Sequence, residues 1–210
     1  MTGHRDDHDD IVDLIAETAS GIVALVVDAP DDVWERPALG EWNVRQLVGH
    51  LFRAFSTIDR FLDEPLHDVV AESAAQYYRL ALGSRPDIHA EVAQRGRDAG
   101  VALGDDPAAA VVEGISAVLG RLADTTGDEI GTTAVGGMRL TDYLDTRLVE
   151  LVVHRIDLCA ALGVAAPDPG RAGVRVAATV FASATPADQV AVLAAMLGRR
   201  PLPPGFNVWP

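Results

Sequence analysis

The chain has 210 residues, 49% of them hydrophobic, and a formal net charge of −14. That length suits one domain or one domain with an extension, and the apolar content sets the chain apart from disordered sequences. An acidic surface with only 5% aromatic residues repels phosphate backbones and anionic lipid headgroups, which argues against nucleic-acid and membrane-surface partners. The single cysteine, Cys159, excludes an intramolecular disulfide and fits a reducing cytoplasm. Residues 1 to 10 are rich in His and Asp, unlike a signal peptide, and no apolar run approaches the ~18 residues of a membrane span. A cytoplasmic protein is the expectation.

Taken in order, almost every segment reads as helix. Ile11, Leu14, Ile15, Ile22, Leu25 and Val26 recur at a helical period, so a helix is expected over residues 11 to 27, ending before Pro30. The His- and Asp-rich residues before it read as a frayed, solvated terminus. Residues 31 to 41, with Trp34, Pro37 and Gly40, form a structured connection. Asn43 caps a second helix that runs to about residue 62 and buries Val44, Leu47, Val48, Leu51, Phe55, Ile58 and Leu62. A short helix is expected over residues 72 to 82. Asp87 caps another over residues 88 to 100, and Asp106-Pro107 opens a further one to about residue 123. Residues 124 to 140, rich in Thr and Gly, read as a loop. Thr141 caps the helix that follows, and Gly163 ends it. Pro167 and Pro169 mark a linker, after which residues 174 to 184 and 186 to 198 form two helices, the second capped by Thr185. The tail from residue 201 is irregular but apolar enough to dock. The pattern predicts an all-α fold, most simply a bundle of four main helices, with residues 1–163 as the bundle and residues 164–210 as a helical extension packed on it.

The stretch Arg147-Leu148-Val149-Glu150-Leu151-Val152-Val153-His154-Arg155-Ile156-Asp157 carries the chemistry. At about 100° per residue, Arg147, Glu150, His154 and Asp157 share roughly a quarter of the helix circumference. Leu144, Leu148, Leu151 and Leu158 flank that stripe on one side, and Val149, Val153, Ile156 and Ala160 on the other. A polar stripe between two apolar ones points into the fold rather than at solvent. Glu150 and His154, four residues apart, can reach one metal ion. His50 sits on the flank of the second helix, and if the two helices are neighbours it converges on the same point. Two imidazoles and one carboxylate suit zinc or another divalent first-row ion, and three protein ligands leave a position open. On its own the Glu-x-x-x-His spacing is weak, because most such pairs are solvated neighbours.

Two segments carry a family resemblance. Glu41-Trp42-Asn43-Val44-Arg45-Gln46-Leu47-Val48-Gly49-His50 resembles the W-[ST]-V-[RQ]-[DE]-L-V-x-H segment of the mycothiol-dependent maleylpyruvate isomerase family. Residues 147 to 158 resemble its R-x-x-E-x-x-x-H-x-x-D-L segment. The resemblance covers residues 10 to 163 and implies a DinB-like four-helix bundle. It also implies a divalent metal, usually taken as zinc, on His50, Glu150 and His154, with mycothiol as the thiol cosubstrate. A metal with an open position deprotonates a bound thiol, and the thiolate is a strong nucleophile for transfer to an electrophilic small molecule or for isomerisation through a transient adduct. The isomerase itself carries a sizeable C-terminal domain, whereas residues 164 to 210 read as two helices and a tail. A generic thiol transferase is therefore the better expectation. A homodimer is a further one, since related bundles often pair through helix faces.

Other residues have plainer readings. Arg147 is the candidate for cofactor or substrate-carboxylate binding, against an intrahelical pair with Glu150. Asp157 is either an acceptor behind a ligand imidazole or part of a surface pair. Tyr143, Trp34 and Trp42 are read as packing, and Cys159 as a small buried apolar residue. His4 and His8 belong to the solvated terminus, and His67 and His89 to the surface. No phosphate loop or G-x-S-x-G elbow is present. Two other functions stay open: a non-enzymatic metal or thiol-binding stress or sensor module, and metal-assisted hydrolysis by a bound water.

Overall fold

The computed structural model describes residues 2–83 and 88–209. Eight helices follow one another: α1 (Thr2–Val27), α2 (Val44–Asp63), α3 (Ala74–Gly83), α4 (Ile88–Ala102), α5 (Pro107–Leu122), α6 (Leu140–Leu162), α7 (Gly170–Ser183) and α8 (Pro186–Met196). A short antiparallel hairpin, β1 (Ile130–Thr133) and β2 (Gly136–Arg139), precedes α6, with Gly131 opposite Met138. The fold is all-α, as the apolar periodicity predicts. Its core lies among α1, α2, α5 and α6, where Ile15, Ile22, Leu47, Leu51, Phe55, Ile58, Leu144, Leu148 and Leu151 are wholly buried.

Local signals set the start of α2. The Asn43 side chain accepts from the Gln46 amide while the Gln46 side chain accepts from the Asn43 amide. This reciprocal cap satisfies two otherwise orphaned donors, and losing it would cost about 1 kcal/mol. It also fixes where the first turn begins, and so which way His50 points two turns later. Helix α4 lies against α2 through glycines: a Cβ on Gly49 would stand 2.4 Å from the Gly100 amide nitrogen. At the far end of α6, Gly163 takes φ 71°, the left-handed stop its position predicts.

Three expectations are corrected. Residues 130–139 are not a loop but the hairpin, and their glycines permit close backbone approach. A Cβ on Gly131 would stand 2.3 Å from the Phe61 carbonyl oxygen, and one on Gly137 would stand 2.0 Å from that of Asp68. Residues 2–10 are not a frayed terminus but the first turns of α1. His8 is 2% exposed, and its ring bonds the hydroxyls of Thr125 (3.0 Å) and Thr141 (3.4 Å). Thr141 accordingly does not cap α6, which starts one residue earlier behind Arg139. The expected cap at Asp87 lies outside the described residues.

Helix α7 packs on α6 and α1 through Arg175, which binds Asp145 (2.5 Å) and Asp7 (2.7 Å), and through Arg171 on Asp10. The tail docks as well: the Trp209 indole donates to the Ser183 hydroxyl at 2.8 Å and stacks on Tyr78. None of the described helices is long and apolar enough to cross a membrane.

Candidate metal centre

Helices α2 and α6 run antiparallel as neighbours, and each turns a polar stripe toward their seam. On α6 the stripe is Arg147, Glu150 and His154. On α2 it is His50, Arg53 and Thr57, at the same spacings of three and four residues. His50 therefore meets Glu150 and His154 at one end of the seam, while Thr57 meets Arg147 at the other.

At the first end, His50 Nε2 is 3.6 Å from Glu150 Oε2, and His154 Nε2 is 3.5 Å from the same oxygen. One ligand atom from each of the three residues lies within 4.8 Å of the others. Ligands held tetrahedrally at about 2.0–2.1 Å from a zinc ion stand about 3.3 Å apart, so the spacing fits a small divalent cation after little adjustment. The same 3.5 and 3.6 Å are long for hydrogen bonds, which leaves the carboxylate facing two imidazoles across a gap.

The two imidazoles are braced differently. His154 Nδ1 is 2.9 Å from Asp157 Oδ2, which holds the proton on Nδ1 and leaves Nε2 to face Glu150. His50 Nδ1 is buried with no hydrogen-bond partner. Its ring is held by shape instead: Trp42 lies 4.6 Å away on one side and the His154 ring 4.8 Å away, edge-on. Trp42 is fixed in turn. Its indole donates to the Ala93 carbonyl at 3.0 Å, and a Cβ on Gly96 would stand 2.4 Å from its ring.

These surroundings separate the proton affinities. Burial opposes charge on His154, but Asp157 and then Glu150 outweigh it and raise the imidazole to about 9. Burial lowers His50, with only partial compensation from Glu150. Burial would also raise Glu150, yet the two imidazoles and the Arg147 charge hold it well below the usual carboxylate range. The site thus keeps one carboxylate ionised under all ordinary conditions.

At the second end, Arg147 is 9% exposed. It does not pair with Glu150 one turn away. Its guanidinium donates to the hydroxyls of Thr146 (3.0 Å) and Thr57 (3.3 Å) and lies 4.7 Å from the Tyr143 ring centroid. Tyr143 is packed, stacked on Phe61, and also forms this floor. The apolar flanks of the α6 stripe are unequal. Leu144, Leu148 and Leu151 are wholly buried; on the other flank Val149 is buried, but Val153 is 40% and Ile156 is 46% exposed, so that flank leaves the core after its first turn. Cys159 is buried and His67 exposed. The side chains of His4 and His89 lie outside the described residues. Reasoning from sequence takes Trp42 as packing alone and passes over Arg53 and Thr57; the steps of three residues from His50 to Arg53 and four from Arg53 to Thr57, matching those on α6, were the available signal.

A helical bundle with an open, three-donor polar site in the seam of two antiparallel helices is the class that fold and site define. The family described as mycothiol maleylpyruvate isomerase N-terminal domain matches residues 15–159, which takes in both motif segments, all of α2 and α6 as far as Cys159. The chain belongs to that family, and its fold is the DinB-like bundle. No curated protein and no solved structure matches it.

Proposed function

We propose that the chain is a metal-dependent enzyme that uses mycothiol as a thiol cosubstrate, of the S-transferase or isomerase type. His50 and His154 would hold a divalent cation through Nε2, and Glu150 through Oε2. Zinc is the metal this nitrogen and oxygen donor set suits best. The observation that carries the reading is the approach of these three donors to within 4.8 Å of one another, in a family associated with mycothiol. A bound cation with an open position supplies a lowered thiol pKa, so that the thiolate is available near neutral pH.

The chain's own residues do the rest. Asp157 fixes the tautomer and ring orientation of His154. Trp42, seated on Gly96, prevents the His50 ring from swinging away. Glu150 offsets one positive charge and stays ionised. Arg147 is the residue assigned to holding the cosubstrate or the electrophile at the inner end of the seam. The Cys159 thiol is buried and takes no part.

The test is a thiol-consumption screen with mycothiol and a panel of electrophiles, run with zinc and again with a chelator. Consumption that needs both metal and mycothiol supports the reading. Metal binding without consumption of mycothiol by any electrophile would move the protein to the non-enzymatic class. Turnover with water alone would make it a hydrolase.

A further inference from the structure

Two neighbouring residues of α3 link the C-terminal extension to the seam. Arg79 reaches outward and donates to the Ala182 carbonyl, near the end of α7, at 2.9 Å. Tyr78 reaches inward and donates its hydroxyl to the Thr146 carbonyl of α6 at 3.1 Å. Tyr78 is only 5% exposed, so its hydroxyl would be buried without a partner if it turned away.

The tail covers the outer face of the same ring. Trp209 stacks on Tyr78 with centroids 4.2 Å apart and planes inclined by 24°. Its indole N–H is tied to the Ser183 hydroxyl at 2.8 Å, and that hydroxyl donates to the Val180 carbonyl at 2.7 Å. The tail is thus anchored to the last turn of α7 and pressed on one aromatic ring.

This line of contacts meets the seam at Thr146. A carbonyl oxygen has two lone pairs, so that of Thr146 can serve its own helix and the Tyr78 hydroxyl together. The Thr146 hydroxyl donates to the Tyr143 carbonyl at 2.6 Å and accepts from Arg147 Nε at 3.0 Å. Trp209, Tyr78, Thr146 and Arg147 therefore form one continuous run from the tail to the inner end of the seam. The metal end is braced separately, by Asp157 on His154 and by Trp42 on His50.

We propose that Tyr78 and Trp209 are positioning residues for Arg147. The docked tail holds Tyr78, Tyr78 holds the Thr146 turn, and Thr146 fixes the direction of the guanidinium. The consequence for substrate rests on the thiol-transfer reading above, in which Arg147 holds mycothiol or the electrophile. A guanidinium recognises its partner through a rigid fork of donors, so turning Nε turns the whole fork away from its target. The extension after α6 thereby sets substrate binding at a site to which it contributes no ligand.

Proton exchange at the Arg147 Nε–H, followed by isotope-edited NMR, tests the positioning and needs neither metal nor mycothiol. W209A and Y78F should each speed that exchange about tenfold, the effect of losing one net hydrogen bond. W209F keeps a ring on Tyr78 and should return the rate to near that of wild type. R171Q frees α7 from Asp10 of α1 without touching Tyr78 or Trp209, and should leave the rate alone. Wild-type exchange in both W209A and Y78F overturns the proposal. So does an acceleration in R171Q equal to that in W209A, which would mark a general loosening of the extension. A kinetic arm uses zinc-loaded protein, mycothiol and iodoacetamide. The carbon–sulfur bond forms as the carbon–iodine bond breaks, iodide leaves with the electron pair, and the thiol proton passes to solvent. In W209A the KM of one of the two substrates should rise about tenfold while kcat and zinc affinity hold. A lower kcat with both KM values unchanged contradicts positioning through Arg147. A wild type that consumes no mycothiol would sink the thiol-transfer reading and leave the exchange rates to decide the positioning.

Discussion

At one end of the α2–α6 seam a single carboxylate faces two imidazoles; at the other, a buried guanidinium lies on a tyrosine ring with two threonine hydroxyls for company. Glu150 and Arg147 are one helical turn apart and would make a good pair. Each instead turns to the opposite end. Burying an ion costs several kcal/mol unless it is compensated, so a fold selected for stability alone would join them. Keeping them apart leaves the carboxylate to the imidazoles and the guanidinium to hydroxyls and a ring face. The same spacing of three and four residues on both helices builds both ends. What separates them is the side chains: a carboxylate and two imidazoles at His50, Glu150 and His154, a guanidinium donating to a threonine hydroxyl at Arg147 and Thr57.

The sharpest way to break this contrast is to remove the charge at the first end. E150Q keeps the shape and loses the anion, so metal affinity should fall on the order of a thousandfold in a calorimetric zinc titration. Unchanged affinity would mean that the carboxylate is not a ligand. D157N acts one step behind. It takes the acceptor from His154 Nδ1, and zinc affinity should fall about 10–100-fold with the ligands untouched. It should also bring the His154 pKa down from its raised value, which an NMR titration of the imidazole would follow.

Acid should weaken the first end in a graded way. A protonated imidazole cannot ligate, and His154 is raised to about 9 while His50 is lowered from 6.5. Between those values one proton must leave His154 for each cation bound, so affinity should fall about tenfold per pH unit below 9. The slope should steepen only below neutrality, where His50 begins to take a proton as well. Competition with a chromophoric chelator across this range would measure it, and a flat profile would contradict the raised His154.

The smallest effect belongs to the second end. T57V removes one hydroxyl from Arg147 and should lower stability by about 1–2 kcal/mol in urea unfolding. Zinc affinity should not change, since Thr57 lies two turns from His50. A large loss of zinc affinity in T57V would show that the two ends are coupled, and the contrast would have to be redrawn.

Much of this was legible in the chain because it depends on near neighbours. The Asn43 cap, the apolar repeat of α2, the left-handed Gly163 and the stripe on α6 are all written within a few residues of where they act. The same holds for Glu150 and His154, whose convergence needs only helical geometry. What escaped depends on distant partners. Gly131 and Gly137 look like loop residues until Phe61 and Asp68 come against them, and then only glycine fits. His8, Asp7 and Asp10 look solvated until Thr125, Thr141, Arg175 and Arg171 arrive from more than a hundred residues away. Arg53 goes unremarked in the sequence because nothing local says that the charges of Arg95 and Arg147 will act on it.

Cobalt(II) titration of metal-stripped protein, followed by visible absorption, tests the central claim most directly. Wild type should develop the strong bands of a low-coordinate site and saturate at one ion per chain. Mycothiol should then add a thiolate-to-cobalt charge-transfer band, and H154A should show neither. A wild type that develops no such bands, or an H154A protein that develops the same ones, would contradict a metal centre at His50, Glu150 and His154.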